Sequence, residues 1–449
     1  MTKISEDFQK MMDQLPIILS PSFSARLNEP VTIFKGIFEV VNGGKVVKID
    51  GEIYFTWTPE SGIKFIGVPD RSIFFEPIDK ILIPGLDISH GYSYFIKMNG
   101  NGVVGAINSP FLIIHNQQDV DRIHFELPNF RDFLGAPVQV DDWMRTNRLT
   151  FENKDWLVTV DKISNYGHLK EELEHTGGYA LLLTGELQHK SGKLNANRMH
   201  NMVQPLGLFF SFLNGRRTFP CFIQGLDQHT PSWTDFSANH ADRYKSVGSW
   251  LPQSDHSGIG VMWDAFVNMT SDASSLECID YLLHWYVEAN NNSGFCEGAI
   301  VLLQNAFELL FNWQMIEQRN LYTVAKGKSI NAAEKIRILL RDAGISLNIP
   351  IKYKEIENQL RSHQMKFQDF PELFTLVRNS ITHTNQNKRT NLAKIPSLTR
   401  HHIKEIGICH LELLLLKLFN YQGKFASRIS ENMFVGGNEE SVPWNKAVS

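Results

Sequence analysis

From residue 31 onward, β-branched and aromatic residues recur in short runs bounded by turn residues, a spacing that predicts strands. Such runs occupy 31–41, 45–57 and 63–68. Asn42-Gly43-Gly44 and Asn99-Gly100-Asn101-Gly102 fall between runs, and Asn and Gly accept the positive φ that a tight hairpin demands. Further runs at 92–98, 103–107, 111–115, 122–127, 149–152, 156–163 and 178–188 extend the pattern, which predicts a sandwich or a rolled sheet. Residues 195–213 carry Met199, Met202, Val203, Leu206, Phe209, Phe210 and Leu213 at helical spacing, with a kink expected at Pro205. Thr218 then opens another strand, over 218–223.

Near residue 271 the period changes to that of a helix and stays there. Helices are predicted over 274–290, with Ser274 or Ser275 as cap, then over 295–319, 331–343, 353–365, 371–383 and 400–419. The chain therefore reads as an α+β multidomain protein. A β-rich N-terminal region (1–270, divisible near 165) precedes an all-α bundle (271–430) and a tail (431–449).

Length and composition narrow this little. The 449 residues suffice for two or three domains, and 43% apolar with 20% charged residues is ordinary for a globular protein. A net charge of −4 gives no global pull toward nucleic acid, so any RNA site must be a local patch. Cys221, Cys278, Cys296 and Cys409 form no C-x-x-C pair and read as buried thiols in a reducing compartment. The first residues mix Lys3, Glu6, Asp7, Lys10 and Asp13 among few apolar ones, unlike a signal peptide. The apolar run 408–419 is too short to span a bilayer. A cytoplasmic protein away from the membrane is expected. Scattered histidines without ligand spacing, and the lack of a P-loop, predict neither a metal site nor a cofactor.

Candidate chemistry gathers on the helix over 371–383. It presents Arg378, Asn379 and His383. A fixed cation for phosphate, with a group that moves protons near neutrality, is what metal-free RNA cleavage needs. In an ideal helix five residues leave the pair about 140° apart and about 7.5 Å along the axis. Two arrangements would let them cooperate: the helix loosens near His383, as the polar run 384–387 permits, or a symmetry axis brings in a second copy. From Leu373 to Lys404 there is no Asp or Glu, while Lys388, Arg389, Lys394, Arg400 and Lys404 lie there as a basic zone suited to phosphate.

Arg378-Asn379-Ser380-Ile381-Thr382-His383 matches the R-N-x-x-x-H motif of HEPN ribonucleases. Ala306-Phe307-Glu308-Leu309-Leu310 resembles the A-x-E-L-L of ApeA-like HEPN domains. Glu412-Leu413-Leu414-Leu415-Leu416, then Tyr421-Gln422-Gly423-Lys424-Phe425 and Arg428, resembles that family's last helix and Y-x-G-x-Y…R tail, with Phe425 in place of Tyr. The resemblance covers about residues 275–430. It implies a HEPN bundle, a homodimer with a composite cleft, and an endoribonuclease of bacterial defence against phage. His383 would then be the general base and Arg378 the charge stabiliser. Asn379 would hold phosphate or orient His383, and Glu308 would bond the arginine or fill polar space. The β-rich region would bind a phage-derived trigger or restrain the nuclease. The alternative is a non-catalytic module that dimerises or grips RNA.

Overall fold

The computed structural model describes residues 11–23, 26–71, 77–108, 110–116, 119–237, 240–383, 385–432, 434 and 436–445, with only the backbone of Asn42 and Asn99. Lys3, Glu6, Asp7, Lys10, Thr384 and residues 446–449 of the tail lie outside the described residues. The chain divides into two compact units, one of Met1–Gly207 with Thr218–Ser246, the other of Leu208–Arg217 with Val247–Ser449.

Among its described residues the first unit holds two sheets. Strands β1 (Val31–Asn42), β2 (Lys45–Thr56), β3 (Gly62–Pro69), β4 (Ile78–Leu82), β6 (Ser93–Asn99) and β7 (Gly102–Ile107) close a barrel in the order β1-β2-β3-β7-β6-β4; β5 (Asp87–His90) leaves it for the other sheet. Period-two alternation points Phe38, Val47, Ile49, Phe55, Ile63 and Phe65 inward, where they form one core. Gly43 and Gly44 adopt φ of 57° and 73°, the turn that joins β1 to β2. Gly105 lies opposite Phe65, and a Cβ there would collide with that ring.

The second sheet is built from β8 (Phe111–Ile114), β9 (Arg122–Pro128), β10 (Ala136–Val140), β11 (Trp143–Glu152), β12 (Trp156–Lys162), β13 (Leu181–His189), β14 (Cys221–Asp227) and β15 (Thr230–Asp235), together with β5. Its nine strands run in the order β10-β11-β12-β13-β9-β14-β15-β8-β5. The expected rolled sheet is present as the closed barrel, and an open nine-stranded sheet accompanies it. The stripe over 195–213 is two helices, Ala196–His200 and Val203–Asn214. The break precedes Pro205, which falls in a first helical turn where its missing N–H costs nothing, instead of kinking one helix.

The second unit is largely helical: Ile259–Thr270, Ala273–Asn290, Phe295–Phe311, Val324–Ser329, Ala332–Asp342, Lys354–Ser362, Phe370–Thr382, Gln386–Ala393 and Ser397–Leu418. The Ala273 helix is capped by Asp272, whose carboxylate accepts the Ser275 N–H at 2.8 Å, not by a serine. The Phe295 helix runs on as a π-helix over Asn312–Gln318. The strands Lys424–Ala426 and Glu439–Ser441 pair antiparallel, so the unit is not purely α. Three helices meet at Gly407, where a Cβ would lie 3.0 Å from Phe374 and 3.1 Å from Leu303. Phe307 and Phe374 pack edge to face there, centroids 5.7 Å apart. All four cysteines are free thiols; Cys221 and Cys409 are buried as expected, whereas Cys278 and Cys296 are only half-buried. Among the described residues no helix is long and apolar enough to cross a membrane.

Candidate active site around Arg378 and His383

The Phe370–Thr382 helix begins at Asp369, whose carboxylate accepts the Glu372 N–H at 3.1 Å and pairs with Arg337 at 2.7 Å. Phe370, Leu373, Phe374 and Val377 are buried on its inner stripe. One turn beyond Phe374 comes Arg378, and next to Phe307 on the facing helix comes Glu308. The aromatic pair therefore fixes the distance across which these two charges meet. Arg378 Nη2 donates to Glu308 Oε1 at 3.2 Å, and Nη1 to Asn379 Oδ1 at 3.1 Å. Gln304, one turn earlier on the Phe295 helix, donates through Nε2 to the same Glu308 oxygen at 2.9 Å. The Arg378 side chain keeps 20% of its surface.

The helix stops at Thr382. His383 is extended, with φ −101° and ψ 100°, and its N–H returns to the Asn379 carbonyl at 3.1 Å. Thr382 Oγ1 donates to the Arg378 carbonyl at 3.1 Å, so the last turn is closed by its own side chain. The loosening near His383 that the first of the two arrangements requires is present in the backbone. The His383 ring is exposed.

After His383 the chain forms the Gln386–Ala393 helix, where the sequence showed only a polar run over 384–387. It buries no residue, and Asn385 caps it by accepting the Lys388 N–H at 3.0 Å. Lys388 is half-buried, while Arg389 and Lys394 are exposed. Arg400 is committed elsewhere: its Nε lies 2.7 Å from Glu297, and its Nη atoms donate to the Ile395 carbonyl and to Ser397. Lys404 is a correction. It is 2% exposed, bonded to Asn292 at 2.6 Å and paired with Glu405 at 2.7 Å, so it offers no surface to RNA. Helical periodicity turns position 404 inward, and its charge is balanced there.

Arg428 also has an internal role. Its Nε and Nη2 hold both oxygens of the fully buried Glu412 at 2.9 and 2.8 Å. It further reaches Glu405 at 3.2 Å and Asn290 at 2.9 Å, while Tyr286 donates its hydroxyl to Glu412 at 2.7 Å. The motif residues Glu412 and Arg428 therefore fasten the tail to the last helix. In the first unit, His124 sits between Glu126 and Glu186, at 3.6 and 3.8 Å. Burial opposes its charge, but the two carboxylates outweigh burial and hold its pKa up to about 9. Among the described residues no three His, Cys, Asp or Glu side chains are grouped to hold a metal ion.

Gln304 was missed by sequence reasoning. Its signal was there: it stands four residues before Glu308, hence on the same helix face.

Comparison with known proteins gives two domain matches. The YopA central domain matches residues 115–247, and the YopA C-terminal domain matches residues 272–439. The chain is also similar to the SPbeta prophage-derived protein YopA of Bacillus subtilis (strain 168), 25% identical over 433 residues, covering 93% of this chain and 96% of that one. No solved structure matches.

Proposed function

For this YopA-family chain, with the central and C-terminal domains of that family, we propose a HEPN-type endoribonuclease that cleaves RNA without a metal. The observation that carries the reading is one short segment. It holds a guanidinium fixed by Glu308 and Asn379 and, five residues on, an exposed imidazole at a helix end. In this reading His383 takes the proton from a ribose 2′-OH, the oxygen attacks the adjacent phosphorus, and the 5′ oxygen leaves as its bond to phosphorus breaks, taking a proton from solvent to become the 5′-OH. Arg378 stabilises the charge that gathers on the phosphoryl oxygens. Lys388, Arg389 and Lys394 hold flanking phosphates; Arg400 and Lys404 take no part. Two copies would meet at the helical unit to form a composite cleft, in the cytoplasm. The prophage origin of the relative fits a role in conflict between phages and bacteria, with the β-rich unit sensing a phage-derived trigger.

The direct test incubates the purified full chain with RNA in EDTA and characterises the ends. A 2′,3′-cyclic phosphate, a 5′-OH and uncut DNA of the same sequence are expected. Cleavage that continues after His383→Ala rejects the assignment. A second reading, a non-catalytic RNA-binding or dimerisation module, is favoured by the Arg378–Glu308 ion pair, which occupies part of the guanidinium. RNA retention with no cleavage under any activating condition would establish that reading instead.

A further inference from the structure

Gln304 is a polar side chain in an apolar place. It is 1% exposed and shares the buried stripe of its helix with Ile300, Leu303 and Phe307. Its Nε2 donates to Glu308 Oε1, but its own Oε1 is buried with no hydrogen-bond partner among the described residues. Such an oxygen is costly to bury, and an apolar side chain of equal length would avoid that cost. What the amide does for Glu308 is the compensation.

Glu308 Oε1 receives two donors, Gln304 Nε2 and Arg378 Nη2. Arg378 Nε is buried and, among the described residues, without a hydrogen-bond partner, so it does not set the plane of the guanidinium. The plane is set by the two Nη contacts, to Glu308 and to Asn379. Without Gln304, the Glu308 carboxylate keeps the arginine as a partner but loses the bond that fixes its own rotamer. The remaining Nη hydrogens then lose their fixed direction.

We infer that Gln304 is a positioning residue: through Glu308 it orients Arg378 so that the free Nη hydrogens face a phosphate oxygen. This rests on the ribonuclease reading above. An oriented donor stabilises charge that develops in the transition state more than charge already present in bound RNA. Loss of orientation therefore lowers kcat and leaves KM nearly unchanged.

The test measures kcat, KM and Tm for the full-length wild type, Gln304→Met, Gln304→Glu and His383→Ala on one RNA oligonucleotide. Gln304→Met keeps the length and apolar packing but has no donor; it should lower kcat by about tenfold or more, with KM within about twofold and Tm unchanged or higher. Gln304→Glu, which keeps the shape and loses the donor, should lower kcat at least as far. Wild-type kcat in Gln304→Met overturns the inference, as does a kcat loss that appears only with a matching loss of Tm. A wild type that leaves RNA intact ends the ribonuclease reading and this inference with it. An active wild type beside a fully active Gln304→Met ends the inference alone.

Discussion

Arg378 and His383 come from one motif but are held in different ways. The arginine is tied by Glu308 and Asn379, while the histidine ring is exposed beyond the helix end. His383→Ala should therefore abolish RNA cleavage with Tm changed by no more than about 2 °C, as expected of a surface substitution; a thermal melt run beside the nuclease assay checks both. His410 behaves oppositely. It is buried against Phe370, centroids 4.8 Å apart, and burial holds its pKa down to about 4. An unfolded chain binds a proton at this position below about pH 6.5, whereas the folded one does not until about pH 4. Stability is thus present above about pH 6.5 and lost as pH falls toward about 4, by on the order of 3 kcal/mol. Denaturant titrations at about pH 7 and about pH 4.5 should show His410→Leu losing less stability between them than the wild type. Residue type made His383 legible in the sequence, but not the burial of Lys404 or His410. Both depend on which face of a long helix is turned inward, and that helix, buried almost throughout 403–416, shows no polar stripe to tell.

Elements with local signals were legible. The hairpin at Gly43-Gly44 follows from residues that adopt the turn's positive φ readily, and the helix begun near 371 follows from Pro371 in its first turn. Elements set by distant contacts were not. Closure of the barrel depends on β1 pairing with β4, and the nine-stranded order recruits β5 and β8 from either side of a barrel hairpin. The Gln386–Ala393 helix has no apolar face, so period could not reveal it, although Asn385 marked its start. Between elements, the Glu412–Arg428 pair joins the last helix to the tail. Arg428→Met leaves Glu412 buried and uncompensated, and should cost about 3–5 kcal/mol. Adding Glu412→Gln to that variant should recover part of the loss. A chemical-denaturation double-mutant cycle measures this, and additive losses would show the two residues uncoupled.

At the scale of the whole molecule, the second unit is discontinuous. The segment 208–217 precedes the strands β14 and β15, yet it belongs with the helices: Trp250 donates to the Phe212 carbonyl at 3.0 Å, and Asn290 to the Gly215 carbonyl at 2.6 Å. A fragment cut at residue 272, where the C-terminal domain match begins, lacks both Phe212 and Trp250. Circular dichroism should show such a fragment melting well below the full chain or failing to fold; an equal Tm would show that the segment is dispensable. The α+β division was legible because the hydrophobic period changes, whereas this return of chain across it leaves no mark in the pattern. The proposed ribonuclease activity requires His383. Sequencing of RNA 3′ ends from cells expressing the wild type and the His383→Ala variant tests that most directly. New 2′,3′-cyclic phosphate ends are expected in the wild type alone, and identical sets of ends in the two would rule out His383 as the base.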